Sequence, residues 1–141
     1  MRILTFQARE FGWKAFSKTL ASAPEAGEAG EAHTVEECVV AFLHIERQDQ
    51  EAEQRLRVFK KTLKHLKWLA NKRDFKNVVL HSFTHLGGEN AEADFAHAFM
   101  LELCERLQST NYSVWITPFG YFSEWNISVY GESLAKVWKE I

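Results

Sequence analysis

His81-Ser82-Phe83-Thr84-His85-Leu86-Gly87-Gly88 reads as the end of a buried strand running into a loop. Thr117-Pro118-Phe119-Gly120-Tyr121-Phe122 reads as a turn between two more strand-like runs. Each puts a backbone turn at the end of an apolar strand, which is where small domains of mixed helix and sheet build pockets. Upstream of the first lies Asn77 to Phe83, with Val78, Val79 and Leu80 at its heart. Downstream, Ala91 to Ser109 is a helix with Phe95, Phe99, Met100, Leu103 and Leu107 turned inward and Asn90 as candidate N-cap. Tyr112 to Ile116 and Tyr121 to Val129 are the strands on either side of the second.

The rest of the chain fills in around these. Arg2 to Ala8 reads as an opening strand, and Phe11, Trp13 and Ala15 keep period two, as in a second strand pairing back on it. Residues 21–34 are rich in Ala, Gly and Glu and read as a mobile loop. Glu37 to Ile45 is a near-continuous apolar run, as in a central strand buried on both faces. Gln50 to Lys72 is a long helix with Leu56, Phe59, Leu63, Leu66 and Ala70 as its apolar stripe. Glu132 to Glu140 reads as a short closing helix. The order β-β-β-α-β-α-β-β-α predicts an α/β (α+β) fold: one domain over residues 1–141, with a mixed β-sheet and helices packed on one face.

Composition bounds the function. Of 141 residues, 46% are hydrophobic, enough for a core, and the 26% charged fraction argues against disorder of the whole chain. No apolar run is long enough for a membrane span, and the opening residues are too soon polar for a signal peptide, so a cytoplasmic protein is expected. Cys38 and Cys104 form no Cys-x-x-Cys and read as small hydrophobes. His81 and His85 are four apart, a spacing that joins metal ligands on a helix but not on a strand entering a loop; neither metal nor cofactor is expected. The net charge is −2, yet Arg55, Arg57, Lys60, Lys61, Lys64, Lys67, Lys72, Arg73 and Lys76 cluster in one helix and the turn after it. That segregation makes either a basic docking face or a solvated helix surface.

Four segments together resemble the editing domain of archaeal-type threonyl-tRNA synthetases, which has a D-aminoacyl-tRNA deacylase-like fold. They are Met1-Arg2-Ile3-Leu4, Val39-Val40-Ala41-Phe42 with Ile45-Glu46, Phe83-Thr84-His85-Leu86, and Pro118-Phe119-Gly120-Tyr121 with Ile127-Ser128 and Gly131. The resemblance spans nearly the whole chain and implies an editing hydrolase that removes serine from mischarged threonine tRNA. It implies tRNA as partner, a possible threonyl-tRNA synthetase partner, and a homodimer to which Trp125 and Trp138 could contribute. By the same resemblance His85 is the catalytic candidate. Phe83, Thr84, Pro118, Phe119, Gly120, Tyr121, Phe122 and Ser123 are the substrate-binding candidates.

The chain departs from the family pattern at specific positions. Tyr121-Phe122-Ser123 stands where the family often has Tyr-Tyr-Lys, and Lys136 aligns with a family Glu. His81-Ser82 replaces Tyr-Pro, and Thr84 replaces Ala. Two other readings follow: a binding module for an aminoacyl-tRNA 3′ end or a nucleoside-like ligand, or a deacylase of different specificity, D-amino acids included. A glycine pair such as Gly87-Gly88 before a helix can cradle a phosphate, but a plain turn is the simpler reading.

Overall fold

A computed structural model describes residues Met1–Ile141. β1 (Arg2–Lys18), β2 (His33–His44), β3 (Asn77–Ser82), β4 (Ser113–Ile116), β5 (Tyr121–Val129) and β6 (Lys136–Glu140) form one sheet. Its order is β4-β3-β2-β1-β5, with β6 also on β1. Pairing is parallel between β2, β3 and β4 and antiparallel around β1. α1 (Ala52–Asn71) and α2 (Ala93–Gln108) are the crossovers that parallel neighbours require. The expected mixed sheet with helices on one face is thus present. Ile3, Val39, Ala41, Leu43, Val78 and Leu80 meet both helices in one core. The other face carries a smaller, aromatic cluster around Phe11, Trp13, Val40 and Phe42.

Five local readings are corrected. Arg2 to Ala15 is not a hairpin but part of one 17-residue strand. The inward parity changes phase, since Ala8 and Phe11 share the aromatic cluster, as do Val35 and Cys38. The change falls at Arg9 in β1 and, across from it, at Glu37 in β2, whose φ is +45°. Against β5 the register slips at the same place. Such an irregularity bends a strand without ending it.

The closing helix is instead a single 3₁₀ turn, Ser133–Ala135, followed by β6. β6 caps the edge of β1 from Arg2 to Phe6, and Thr5 Oγ1 donates to the Val137 carbonyl at 3.1 Å. A helix here would leave that edge's backbone groups unpaired beside the core. Finally, α2 starts at Ala93 behind Glu92, so Asn90 is not its N-cap. Leu56 is likewise exposed rather than in the α1 stripe. The segment read as a loop over 21–34 contains the 3₁₀ turn Gly27–Gly30 and gives its last two residues to β2.

The sheet is curled. β4 and β5 are separated by four strand spacings, roughly 19 Å if flat. The link Thr117–Gly120 between them reaches at most about 18 Å when stretched. Trp125 of β5 lies 5.2 Å from Phe42 of β2 and 6.5 Å from His81 of β3, centroid to centroid, across strands that are not neighbours. The bend at Arg9 lets the outer half of β1 carry β5 round to close this side.

Candidate functional site

A cavity of about 470 Å³ opens where β3 and β4 end and β5 begins, and the first turn of α2 completes its wall. The nine candidate residues all line it: Phe83, Thr84 and His85 from the loop after β3, and the continuous run Pro118 to Ser123. Forty residues apart at their extremes in sequence, the two segments meet because parallel strands end on the same side. Alternation in β5 puts Ser123 in the wall and Glu124 outside it. Lys136 is not in the lining; its Nζ reaches the Gly131 carbonyl at 3.2 Å.

The loop carrying His85 is tied down by buried polar groups. His44 Nδ1 accepts from the Leu86 N–H at 3.3 Å, and its Nε2 is 2.8 Å from Asn90 Oδ1. The accepting Nδ1 leaves the proton on Nε2, which donates to Asn90. This is what Asn90 does in place of capping α2. At the same strand end the Met1 ammonium is buried against Glu46 Oε1 at 2.8 Å and Asp49 Oδ1 at 3.0 Å. Arg2 also pairs with Glu46. Gly88, with φ +66°, packs on this cluster, and a Cβ there would collide with Glu46 Oε2 and Arg2 Nη1. The glycine pair is therefore a turn over an ion cluster, five residues ahead of α2.

The opposite wall is set by the turn after β4. Gly120, φ +81°, accepts the Thr19 N–H at 2.7 Å through its carbonyl, joining the end of β1 to the turn. Phe119 stacks on His97 of α2, with centroids 4.6 Å apart and planes 7° from parallel. Tyr121 Oη donates to the Pro24 carbonyl at 2.7 Å. His85 is exposed at the rim, its ring edge-on to Phe83 at 5.4 Å.

Sequence reasoning did not single out the pair deepest in the wall. His81 Nδ1 lies 2.7 Å from Thr117 Oγ1, both buried, and burial pushes the His81 pKa down to about 4. The signal was there: His81 is a titratable residue directly after the apolar run Val78-Val79-Leu80. Ser123 Oγ is buried with no hydrogen-bond partner. Elsewhere, burial drives the Cys38 thiol up to about 12, as for a small core residue. The exposed Arg57, Lys60, Lys61 and Lys64 of α1, and Lys72 just after it, lie outside the cavity lining. No helix is long and apolar enough to cross a membrane.

Residues 1–141 match the family model of the archaea-specific editing domain of threonyl-tRNA synthetase. The chain belongs to that family. Among its relatives, the threonine–tRNA ligase of Staphylothermus marinus is 30% identical over 142 residues, all of this chain and 22% of the relative. That of Thermococcus sibiricus is 25% identical over 141 residues, again all of this chain and 22% of the relative. This editing-domain chain thus spans about a fifth of the length of the ligases it matches. The solved structure of the c-Myc DNA Unwinding Element Binding Protein superposes with a TM-score of 0.67 at 13% identity. It covers 100% of this chain and 99% of its own, so the two share the fold.

Proposed function

We infer that this domain is an aminoacyl-tRNA editing hydrolase that removes serine wrongly esterified to threonine tRNA. One observation carries the reading: the two segments that match the family converge on a single cavity, about 470 Å³, with a mostly apolar wall and a few polar groups. That is the size and character of a small-ligand site. The need is physical. A site that accepts threonine rejects serine, one methyl smaller, by only about 1–3 kcal/mol, so a second pocket must admit serine and exclude threonine.

In this reading the cavity takes the aminoacyl group and terminal ribose. Ester hydrolysis asks for a held water, donors to the oxyanion and a route for protons. His85 at the rim is the side chain best exposed to reach a ribose hydroxyl or that water. Phe83, Phe119 and Phe122 supply apolar contact, and Thr84 lines the cavity beside His85. The partners are the aminoacylated tRNA end and a threonyl-tRNA synthetase.

One observation favours a second reading, a binding module without catalysis. Ser123 stands where the resemblance implies a lysine, and nothing hydrogen-bonds its hydroxyl. Hydrolysis of a seryl ester on threonine tRNA, compared between wild type and His85→Ala, separates the two. Turnover that falls at least about tenfold in the variant supports editing. Binding of an aminoacyl-tRNA end without turnover supports the module instead.

A further inference from the structure

His81 is a buried titratable group that the reading above leaves unused. It is 6% exposed, and Phe42, Phe83 and Trp125 surround its ring with centroids at 5.1, 6.3 and 6.5 Å. Its one hydrogen-bond partner is Thr117 Oγ1. Both residues line the cavity.

The pairing selects a tautomer. Thr117 is 3% exposed, and its hydroxyl has no partner but His81. Were the ring proton on Nδ1, the hydroxyl would accept it, leaving its own proton buried and unpaired at a cost. If the hydroxyl donates to Nδ1, the buried hydroxyl proton is paired, and the ring proton sits on Nε2, which is not sealed off from the cavity. Burial holds the imidazole neutral well below neutral pH. The cavity wall thus holds a neutral N–H donor with no protein acceptor. Ser123 Oγ, buried and unpartnered in the same wall, is a second unfilled polar group. A polar ligand such as an ester supplies an acceptor to the ring N–H, and an apolar one does not.

We propose that His81 is a catalytic residue whose Nε2–H donates a hydrogen bond to the carbonyl oxygen of the aminoacyl ester. This rests on the ester-hydrolysis reading. Water attacks the carbonyl carbon, and the carbonyl π pair moves onto the oxygen that His81 holds. The pair then returns to re-form the carbonyl, and the bond to the ribose oxygen breaks. One water proton stays on the released carboxyl and the other goes to the ribose oxygen. His81 keeps its proton throughout and acts as an oxyanion donor, not a base.

His81→Phe keeps the ring and removes both nitrogens. With a seryl ester on threonine tRNA it should lose about 100-fold in kcat with little change in KM. Thr117→Val should lower kcat about tenfold by freeing the ring, and Thr117→Ser should restore it. Nitrogen-15 spectra of the wild type at neutral pH should show the proton on Nε2. A wild type that hydrolyses the ester while His81→Phe keeps kcat within about threefold overturns the assignment and leaves the editing reading standing. So does a proton found on Nδ1. If His81→Phe does not fold, the Thr117 variants and the spectra decide. A wild type that hydrolyses no ester removes the reading and this assignment with it.

Discussion

Asp49→Asn tests how the buried ammonium holds the cavity end of the sheet. Both Asp49 oxygens face the Met1 ammonium, Oδ1 at 3.0 Å and Oδ2 at 2.8 Å, and Oδ2 also accepts from the Glu46 N–H at 2.8 Å. An asparagine has one oxygen. Whichever way the amide turns, its NH₂ faces a donor. Two positive groups, Met1 and Arg2, then share the single carboxylate of Glu46. Breaking a buried pair costs about 3–5 kcal/mol, and because Glu46 remains, the low end applies, about 3 kcal/mol.

For a chain of 141 residues the unfolding entropy is about 0.3 kcal/mol/K, so Tm should fall by about 10 °C. Urea melts should show the midpoint moving with an unchanged slope. The effect should also reach the site. Glu46 bridges to Asn90, Arg47 N–H donates to the Glu89 carbonyl, and Gly88 sits on the cluster, so the His85 loop loses its anchor. Turnover should fall below Tm as well. A stability loss under about 1 kcal/mol would refute the argument, because it would mean the ammonium is solvated rather than paired.

Other predictions follow from the same geometry. Burial pushes the His81 and His65 pKa values down to about 4, for His65 with help from the nearby Lys139 charge. The unfolded rings take protons that the folded rings refuse, so stability is full above about pH 6.5 and falls as pH drops toward 4, by up to about 1.4 kcal/mol per unit for each ring. Urea titrations should show the decline, shallower in His81→Phe; a flat profile down to pH 4.5 contradicts it. Gly120→Ala should cost about 2 kcal/mol, because φ is +81° and the new Cβ would stand 2.8 Å from Ala23 Cβ; an unchanged melt would contradict this. The homodimer implied by the resemblance should sediment at about twice 16.3 kDa and revert in Trp138→Glu, whose ring is 53% exposed; a single species at 16.3 kDa rules it out.

What the sequence disclosed follows from periodicity. Of the Glu37 to Ile45 run, Cys38 to Ile45 is buried on both faces because β2 lies inside the sheet, under helices on one side and aromatics on the other. The long helices were clear from their stripes, with errors only at Leu56 and Asn90. The site segments were visible because both end strands with glycine or proline. The failures share a cause. Residues Arg2 to Lys18 look like two strands because Arg9 and Glu37 jointly reset the alternation, a cross-strand event no single window contains. β6 is five residues, three of them charged and none buried, and only the free edge of β1 makes it a strand. The His81–Thr117 pair spans 36 positions, so its chemistry became visible only once β3 and β4 were side by side.

The central claim is editing, and the measurement that tests it most directly is the rate at which this domain hydrolyses seryl and threonyl esters of the same threonine tRNA. The account predicts rapid loss of the seryl ester and a threonyl rate about 100-fold slower, within the range that one methyl group yields in a fitted pocket. Equal rates would contradict selective editing, and no hydrolysis of either would contradict catalysis.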